Sequence, residues 1–157
     1  MFTLNNQVAI VTGSGSKKGI GRTIALTLAK QGASIVVADM NQTGIQDTVE
    51  AITESGGRAV GVEVNVTNKE SVDHMIAKTL EEFGRIDILV NNAGISQKVT
   101  VQDMTLEDMT RVFNVNMFGL FLCTQAVLET MKKQQYGRII NLSSVSAKRG
   151  GGVFGGA

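Results

Sequence analysis

One stretch of the chain, from Val8 to Gly21, constrains the fold more than any other. It begins with four apolar residues typical of a buried strand, continues through small, polar and basic residues from Thr12, and ends in Gly19-Ile20-Gly21, where helical spacing begins. Glycines let a backbone approach an anion closely, and the free N–H groups and positive dipole at a helix N-terminus attract its charge. This order of strand, glycine turn and helix therefore predicts a phosphate-binding βα unit and, with it, nucleotide binding.

The spacing of the glycines departs from two common nucleotide-binding motifs. The pattern G-x-G-x-x-G, begun at Gly13, would need a glycine where Lys18 stands, and the chain has no Gly-Lys-Ser or Gly-Lys-Thr of a P-loop. The turn alone is also compatible with a βα connection that binds nothing. Asp39 favours the nucleotide, because it ends a second apolar run 18 residues after Gly21, and a carboxylate near that separation can accept from an adenosine ribose. Taken alone, Asp39 is also compatible with a solvated turn or a helix cap.

Strand-like and helix-like segments alternate along the whole chain. Uninterrupted apolar runs such as Ile88-Leu89-Val90 are typical of parallel strands buried on both faces. We predict strands at 7–11, 34–39, 59–65, 86–91 and 138–143, and helices at 19–31, 42–55, 68–83 and 105–134. Alternating βα units with right-handed crossovers build a doubly wound sheet. The sequence therefore predicts a Rossmann-type α/β fold, a parallel sheet with strand order 3-2-1-4-5, in a single domain over residues 1–157.

Short motifs mark the ends of the predicted helices. Gly32 stands where the first helix should stop. Thr67-x-x-Glu70 and Thr105-x-x-Asp108 resemble capping boxes, in which the Ser or Thr side chain and the acidic side chain satisfy each other's backbone N–H groups. We expect the third and fourth helices to begin at these motifs.

Composition limits the kinds of partner and compartment. A net charge of +1 provides no field for nucleic acid or an anionic membrane. A single cysteine cannot form an internal disulfide and fits a reducing compartment, and no metal-ligand spacing occurs. Residues 1–10 lack the basic region and apolar core of a signal peptide. We expect a cytoplasmic protein with no nucleic-acid, membrane or metal partner.

The predicted helix at 105–134 is apolar around most of its circumference. Its central part, from Val112 to Cys123, leaves little polar face. One side can cover the sheet, and the remainder then needs a second cover, either a missing part of the chain or a partner subunit. A helix lying deep in the core of its own domain explains the pattern equally well. If the second cover is another subunit, we expect a homodimer or homotetramer formed through this helix.

Polar side chains follow three of the predicted strands at their carboxyl ends, where ligands of open α/β sheets bind. Each of them singly is compatible with an ordinary cap or turn, and an asparagine inside a helix can bond its own backbone. The residues are Asn65, Asn91, Asn92, Ser143, Ser144 and, within the long helix, Asn116. Together, on one rim of the sheet, they predict a polar site.

These residues resemble the short-chain dehydrogenase/reductase family. The matching motifs are Thr12-Gly13 with Gly19-Ile20-Gly21, Asp39, Asn91-Asn92-Ala93-Gly94, Asn116-x-x-Gly119, and Ser144 within Asn141-Leu142-Ser143-Ser144-Val145. The resemblance spans this chain but covers only the N-terminal larger part of a family domain. It implies a Rossmann-type fold and an NAD(P)-dependent oxidoreductase that interconverts an alcohol and a carbonyl by hydride transfer. Its substrate would be a small molecule such as a sugar alcohol, a hydroxy acid or a 3-oxoacyl group.

The resemblance also implies roles for individual residues. The implied coenzyme-binding residues are Gly13, Ser14, Gly19, Ile20, Gly21, Asp39, Met40, Asn65, Val66, Asn92, Ala93 and Gly94. Among them the glycine turn would surround the pyrophosphate, Asp39 would bind the ribose, the pair after strand 3 would flank the adenine, and the residues after strand 4 would line the nicotinamide. Ser144 would hydrogen-bond the substrate oxygen, and Asn116 would hold a proton-relay water.

The sequence departs from the family pattern in three places. The turn has five residues between Gly13 and Gly19, where the family has three, and Asn65 stands where the family usually has Asp. The family's Tyr-x-x-x-Lys pair does not occur in these 157 residues, which end in the glycine-rich segment 149–157. We therefore expect truncation before that pair, with the C-terminal strands and helices of the domain missing, and little turnover from these residues alone. The alternative to an enzyme is a truncated, catalytically dead fragment that binds a nucleotide or oligomerises.

Two features compete over the identity of the coenzyme. Asp39 repels a 2′-phosphate and so favours NAD, whereas Lys17 and Lys18 in the glycine turn could pair with that phosphate. Asp39 lies directly at the ribose, while the lysines are flexible. We therefore predict NAD as the coenzyme in preference to NADP.

Overall fold

The computed structural model describes residues 3–146, and the glycine-rich segment 149–157 lies outside the described residues. The strands are β1 (Val8–Thr12), β2 (Ser34–Asp39), β3 (Arg58–Glu63), β4 (Ile88–Asn91) and β5 (Arg138–Asn141). The helices are α1 (Ile20–Lys30), α2 (Gln42–Glu54), α3 (Lys69–Phe83), α4 (Leu106–Phe113) and α5 (Leu120–Gln134). A π-helical segment, Asn114–Gly119, joins α4 to α5.

The strands form one parallel sheet in the order β3-β2-β1-β4-β5, which confirms the predicted order. β1 lies at the centre, and all of its residues are buried. The chain moves outward from β1 to β3 and then returns to the other side of β1 to form β4. Because ligands of such sheets bind outside the carboxyl ends of the strands where this reversal occurs, the ends of β1 and β4 mark the expected site.

Two apolar clusters cover the two faces of the sheet. Ile10 of β1 belongs to the cluster that includes Val72 of α3 and Val127 of α5. Its neighbour Val11 belongs to the cluster that includes Ile52 of α2. Successive strand residues point to opposite faces, so a strand covered on both sides must be apolar at every position. This explains the continuous apolar runs that the sequence shows.

The beginning of α3 differs from the prediction. Thr67-x-x-Glu70 does not form the capping box; instead Asn68 is the N-cap, and its side-chain oxygen accepts from the Ser71 backbone N–H at 2.8 Å. Asparagine is as good an N-cap as the residue types in a capping box. Thr67 instead donates its hydroxyl to the side-chain oxygen of Asn65 at 2.8 Å. The turn before α3 is thus held by Asn65, which lies two residues beyond the end of β3.

The predicted helix at 105–134 begins as expected but is not one continuous α-helix. Thr105 and Asp108 form the predicted capping box. After α4, the backbone widens into the π-helical segment before α5 begins. The side chain of Asn116, within this segment, forms two hydrogen bonds with the backbone of Ile95, each 2.9 Å long. A π turn inserts an extra residue and changes the direction of the side chains, and here it directs Asn116 at the loop after β4.

The helices α4 and α5 and the segment between them present an exposed apolar surface, which we call the α4–α5 face. Its residues are Leu106, Met109, Phe113, Met117, Phe118, Phe121 and Leu128. Other side chains of α5, including Cys123 and Val127, belong to the core beside the sheet. The stretch Leu106–Gln134 is long and apolar enough to cross a membrane by length and composition alone. Its core contacts make it an integral layer of this domain, with one face left exposed.

Candidate nucleotide-binding site

A cleft of about 420 Å³ lies at the carboxyl ends of β1, β2, β3 and β4. It brings together most of the predicted coenzyme-binding residues, namely Gly13, Gly19, Ile20, Asp39, Met40, Asn65, Val66, Asn92, Ala93 and Gly94. Its volume is within the range usual for ligand sites, about 300–1,000 Å³. Segments that are far apart in the sequence therefore meet around one cavity, at the edge of the sheet where the fold favours a ligand.

Two glycines in the turn after β1 allow the backbone to pack closely against the loop after β4. Gly13 has a φ of +66°, and a Cβ added there would lie 2.8 Å from the Cα of Ala93. A Cβ at Gly21 would lie 2.4 Å from both the Gly13 carbonyl oxygen and the side-chain nitrogen of Asn92. Gly21 does not line the cleft but lets α1 begin close to the turn. The glycines thus leave bare backbone beside the cavity.

Replacing Gly21 by alanine is expected to lower the free energy of unfolding by about 1–3 kcal/mol, the usual cost of overpacking. The new methyl group must displace the Gly13 carbonyl or the Asn92 amide, so the affinity of the cleft for a nicotinamide dinucleotide should fall as well. Urea unfolding and calorimetric titration with NAD⁺ and NADP⁺ would measure the two effects. Thr27→Ala, on the exposed side of α1, serves as the control and should change the free energy of unfolding by less than about 0.5 kcal/mol. Equal stability and affinity in the Gly21 variant and the unmodified protein would contradict this reading of the turn.

Thr12 and Asn92 connect the ends of β1 and β4. The Thr12 hydroxyl donates to the Val90 carbonyl at 3.2 Å and accepts from the backbone N–H groups of Asn92 and Ala93 at 3.1 and 3.0 Å. The Asn92 side-chain nitrogen donates to the carbonyls of Thr12 and Gly13 at 2.8 and 3.0 Å. The Asn92 amide group therefore holds the glycine turn against β4. Sequence analysis identified Thr12 only as part of a motif; in the structure its hydroxyl joins the two strands.

Two backbone amides fix the carboxylate of Asp39. One of its oxygens accepts from the N–H of Gly15 at 2.8 Å, and the other accepts from the N–H of Asn41 at 3.0 Å. A carboxylate has about four acceptor positions, so each oxygen retains capacity for a further donor at the cleft. From the sequence, Asp39 could have been either a residue that caps a turn or one that binds a ligand. In this geometry the same carboxylate can do both.

Ser14 supports the site from beneath and does not line the cleft. Its side chain is buried, and the hydroxyl donates to the Val11 carbonyl at 2.7 Å and accepts from the Ala38 N–H at 3.2 Å. These bonds join the ends of β1 and β2. The implied contact between Ser14 and a coenzyme stays a prediction.

The long glycine turn packs outward against α2. The hydroxyl of Thr48, on α2, donates to the Ser14 carbonyl at 3.1 Å. The Gly15 carbonyl oxygen lies so close to α2 that a Cβ added at Gly44 would be 1.7 Å from it. The lengthened turn is thus built into a second helix, and Gly44 is required for that contact. Sequence reasoning did not identify Gly44 or Thr48, because nothing local indicates that α2 approaches the turn.

Neither predicted catalytic residue lines the cleft; Asn116 hydrogen-bonds to a residue that does, and Ser144 hydrogen-bonds to none among the described residues. The side-chain oxygen of Asn116 accepts from the Ile95 N–H, and its nitrogen donates to the Ile95 carbonyl. Both groups of the amide are therefore used to position Ile95, which lines the cleft. Ser144 follows β5, is exposed, and its hydroxyl accepts from the Ser146 N–H at 3.2 Å. The relay-water role of Asn116 and the substrate contact of Ser144 stay predictions.

Sequence reasoning missed several residues that complete the lining, namely Ser16, Val64, Ile95 and Val115. The valines belong to apolar runs that the sequence explains as core, so nothing marked them as cleft residues. Cys123 is buried, and burial raises the pKa of its thiol to about 12, which makes it a poor nucleophile near neutral pH. Within residues 3–146 there is no group of three or more His, Cys, Asp or Glu side chains that could hold a metal ion.

Comparisons with known proteins agree with this geometry. A family model described as short chain dehydrogenase matches residues 7–155. The chain is 46% identical over 151 residues to a 3-oxoacyl-[acyl-carrier-protein] reductase of Synechocystis sp., covering 96% of this chain and 60% of that protein. It is 41% identical over 141 residues to (2S)-[(R)-hydroxy(phenyl)methyl]succinyl-CoA dehydrogenase subunit BbsD of Thauera aromatica, covering 90% of this chain and 56% of that protein. It is 39% identical over 145 residues to glucose 1-dehydrogenase 2 of Bacillus subtilis, covering 90% of this chain and 55% of that protein. The chain thus spans somewhat more than half the length of each of these relatives.

Proposed function

We infer that this chain, which belongs to the short-chain dehydrogenase family, provides the coenzyme site of an NAD-dependent oxidoreductase that interconverts an alcohol and a carbonyl. Members of the family use NAD(P). The observation that carries the proposal is that glycines of the turn, which carry no side chains, and a carboxylate held by backbone amides line the same cleft. The turn suits the pyrophosphate of a dinucleotide, and Asp39, held by two amides, suits its adenosine ribose.

The start of α1 fits an anionic group. Gly19 is the N-cap, and no side chain caps the helix there. The first backbone N–H groups of a helix have no partner within the helix, and together with the helix dipole they favour a negative group. Gly19 and Ile20 line the cleft. These features support binding of the pyrophosphate at the beginning of α1.

The remaining site residues have positioning roles in this proposal. A bound nicotinamide ring would supply the hydride acceptor or donor. Asn116 holds Ile95 in place, and Asn92 ties the segment after β4 to the glycine turn, so the wall beside the nicotinamide would be rigid. Ser144 would donate a hydrogen bond to the substrate oxygen. Asp39 and the amides of α1 would fix the rest of the coenzyme, so binding energy remote from the reacting atoms would orient the ring.

We propose NAD rather than NADP, because a 2′-phosphate beside the Asp39 carboxylate would place like charges together. The substrate would be a small alcohol or carbonyl, such as a sugar alcohol, a hydroxy acid or a 3-oxoacyl group. The reductase and dehydrogenase names of the relatives support this range. A cytoplasmic location, and the lack of a nucleic-acid or membrane partner, remain part of the proposal. Calorimetric titrations of the complete protein should show tighter binding of NAD⁺ than of NADP⁺, and no uptake of either would contradict the proposed function.

We also propose that the α4–α5 face is covered by a second copy of this chain. The first turn of α4 is acidic, with Glu107 and Asp108, and the last turn of α5 is basic, with Lys132 and Lys133. Antiparallel pairing of this face with itself would bring the acidic turn of each copy towards the basic turn of the other. Apolar contact along the middle and complementary charge at the ends both favour self-association.

Replacing Phe121 by glutamate is expected to reduce the mass of the complete protein in solution to that of a monomer. The Phe121 side chain is 57% exposed in the middle of the α4–α5 face, and a carboxylate there would be buried without a partner in the assembly. Light scattering after size-exclusion chromatography would measure the mass. Val101→Glu is the matched control, because Val101 is 69% exposed in the loop before α4, outside this face. An assembly that persists in the Phe121 variant would contradict the proposed interface.

A further inference from the structure

We propose that Asp47 on α2 is a determinant of coenzyme preference, because it holds the ammonium group of Lys17 away from the ribose. Lys17 belongs to the lengthened glycine turn, and its Nζ lies 2.9 Å from the Oδ2 of Asp47. The inference rests on the proposed function, since it concerns discrimination between NAD and NADP at the same cleft.

Asp47 is the fixed member of this ion pair. Its side chain is 28% exposed, whereas that of Lys17 is 73% exposed. The Oδ2 atom of Asp47 is shielded from solvent and has no hydrogen-bond donor of good geometry among the described residues. The Lys17 ammonium is therefore the charge that compensates a buried carboxylate oxygen, and burying that oxygen without a compensating charge is costly. The helix thus determines where the lysine lies.

Lys17 is close enough to Asp39, where the ribose is proposed to bind, for its ammonium group to reach that edge of the cleft. The N–H of Gly15 contacts the Asp39 carboxylate directly, and Lys17 follows two residues later. Two residues span at most about 7 Å, and a lysine side chain has a flexible four-carbon stem. Ser16, between them, lines the cleft. A different rotamer would therefore bring the ammonium to the same edge of the cleft as Asp39.

The local charge balance connects this pair to the coenzyme. With Lys17 paired to Asp47, the two charges offset each other and Asp39 remains as the uncompensated charge at the ribose. A 2′-phosphate would then meet the Asp39 carboxylate without the charge of Lys17 to offset the repulsion. Without the charge of Asp47, Lys17 loses the one ion-pair partner that it has among the described residues. Its ammonium can then pair with the phosphate, an interaction between charged groups that is stronger than a neutral hydrogen bond. Asp47 thus selects against NADP without touching either coenzyme.

Asp47→Asn in the complete protein is the direct test. We expect the Kd of NADP⁺ to fall about tenfold, while that of NAD⁺ changes less than about twofold, as measured by calorimetric titration. The gain should shrink as the salt concentration rises, because exposed charges are screened. Adding Lys17→Gln should abolish the gain, whereas Asp47→Glu should keep the original preference. Asp73→Asn is the matched control: it frees Lys69 on the exposed surface of α3, and neither residue lines the cleft.

Two results would overturn the proposed role of Asp47. An unchanged ratio of the two Kd values in Asp47→Asn would overturn it, as would a gain that survives Lys17→Gln. If Asp47→Asn fails to fold, Asp47→Ser is measured against the same expectation. If the unmodified protein binds neither coenzyme, the proposed function fails instead; if it binds NAD⁺ and the variants do not alter the ratio, only this inference fails.

Discussion

Replacing Asp39 by alanine should weaken NAD⁺ binding about a hundredfold. In the proposed site this carboxylate would accept from two ribose hydroxyls, and a hydrogen bond to a charged group contributes about 1.5–3 kcal/mol. A hundredfold loss corresponds to about 2.8 kcal/mol, slightly less than the smallest loss expected from two such bonds. The substitution also removes the acceptor for the Gly15 N–H, which lets the glycine turn relax. Calorimetric titration of the complete protein would measure the change.

NADP⁺ provides the internal comparison for this variant. Its binding should weaken less, or even improve, because the substitution removes a negative charge that repels the 2′-phosphate. Asp73→Ala, which removes an exposed carboxylate from α3, should leave both affinities unchanged. If Asp39→Ala bound NAD⁺ as tightly as the unmodified protein, the ribose would have to lie elsewhere, and the proposed placement of the coenzyme would be wrong.

Replacing Asp87 by alanine should lower the free energy of unfolding by about 3 kcal/mol. Its side chain is fully buried between the amino ends of β1 and β4, where it accepts from the Val8 N–H at 2.8 Å and from two nitrogens of Arg85, each at 2.7 Å. The hydrogen bond and the charge of Asp87 raise the pKa of the Arg85 guanidinium. Removing one member of a buried pair usually costs about 3–5 kcal/mol. The lower end applies here because the Arg85 side chain is 46% exposed and can be hydrated.

A loss of about 3 kcal/mol is a large fraction of the free energy of unfolding of a typical domain, which is about 5–15 kcal/mol. Urea unfolding would measure it, and Asp87→Asn, which keeps one acceptor, should lose less. Asp73→Ala is again the control: its partner Lys69 forms an exposed ion pair, which is typically worth about 0–1 kcal/mol. Below the unfolding transition, the Asp87 variant should bind NAD⁺ normally, because Asp87 lies at the end of the sheet opposite the cleft. A loss below about 1 kcal/mol would show that Asp87 does not hold the two strands together.

The sheet could be predicted from the sequence because its signals are local. Continuous apolar runs such as Val8–Val11 and Ile88–Val90 indicate strands buried on both faces, and the right-handed crossover rule leaves few topologies. The cleft could be predicted for a related reason: in a parallel sheet the carboxyl ends of the strands share one edge, so the residues that follow β1, β2, β3 and β4 must meet.

The details that could not be predicted depend on contacts between distant segments. Asn116 bonds Ile95 only because a π turn rotates it towards the loop after β4, and no local propensity favours such a turn. The contact between Gly15 and Gly44 depends on how α2 crosses the glycine turn. The predicted N-cap of α3 was wrong for a simpler reason. Thr67 and Asn68 are both good N-cap residues, and Asn68 caps the helix because the Thr67 hydroxyl is bonded to Asn65 instead.

In the proposed function, the beginning of α1 binds the pyrophosphate of a nicotinamide dinucleotide while Asp39 binds its adenosine ribose. A crystal structure of the complete protein grown with NAD⁺ would show directly whether both contacts form. We expect the pyrophosphate over the backbone N–H groups of Gly19, Ile20 and Gly21, and the ribose hydroxyls within hydrogen-bonding distance of the Asp39 carboxylate. A coenzyme bound away from the cleft, or one with its ribose turned away from Asp39, would rule out this binding mode.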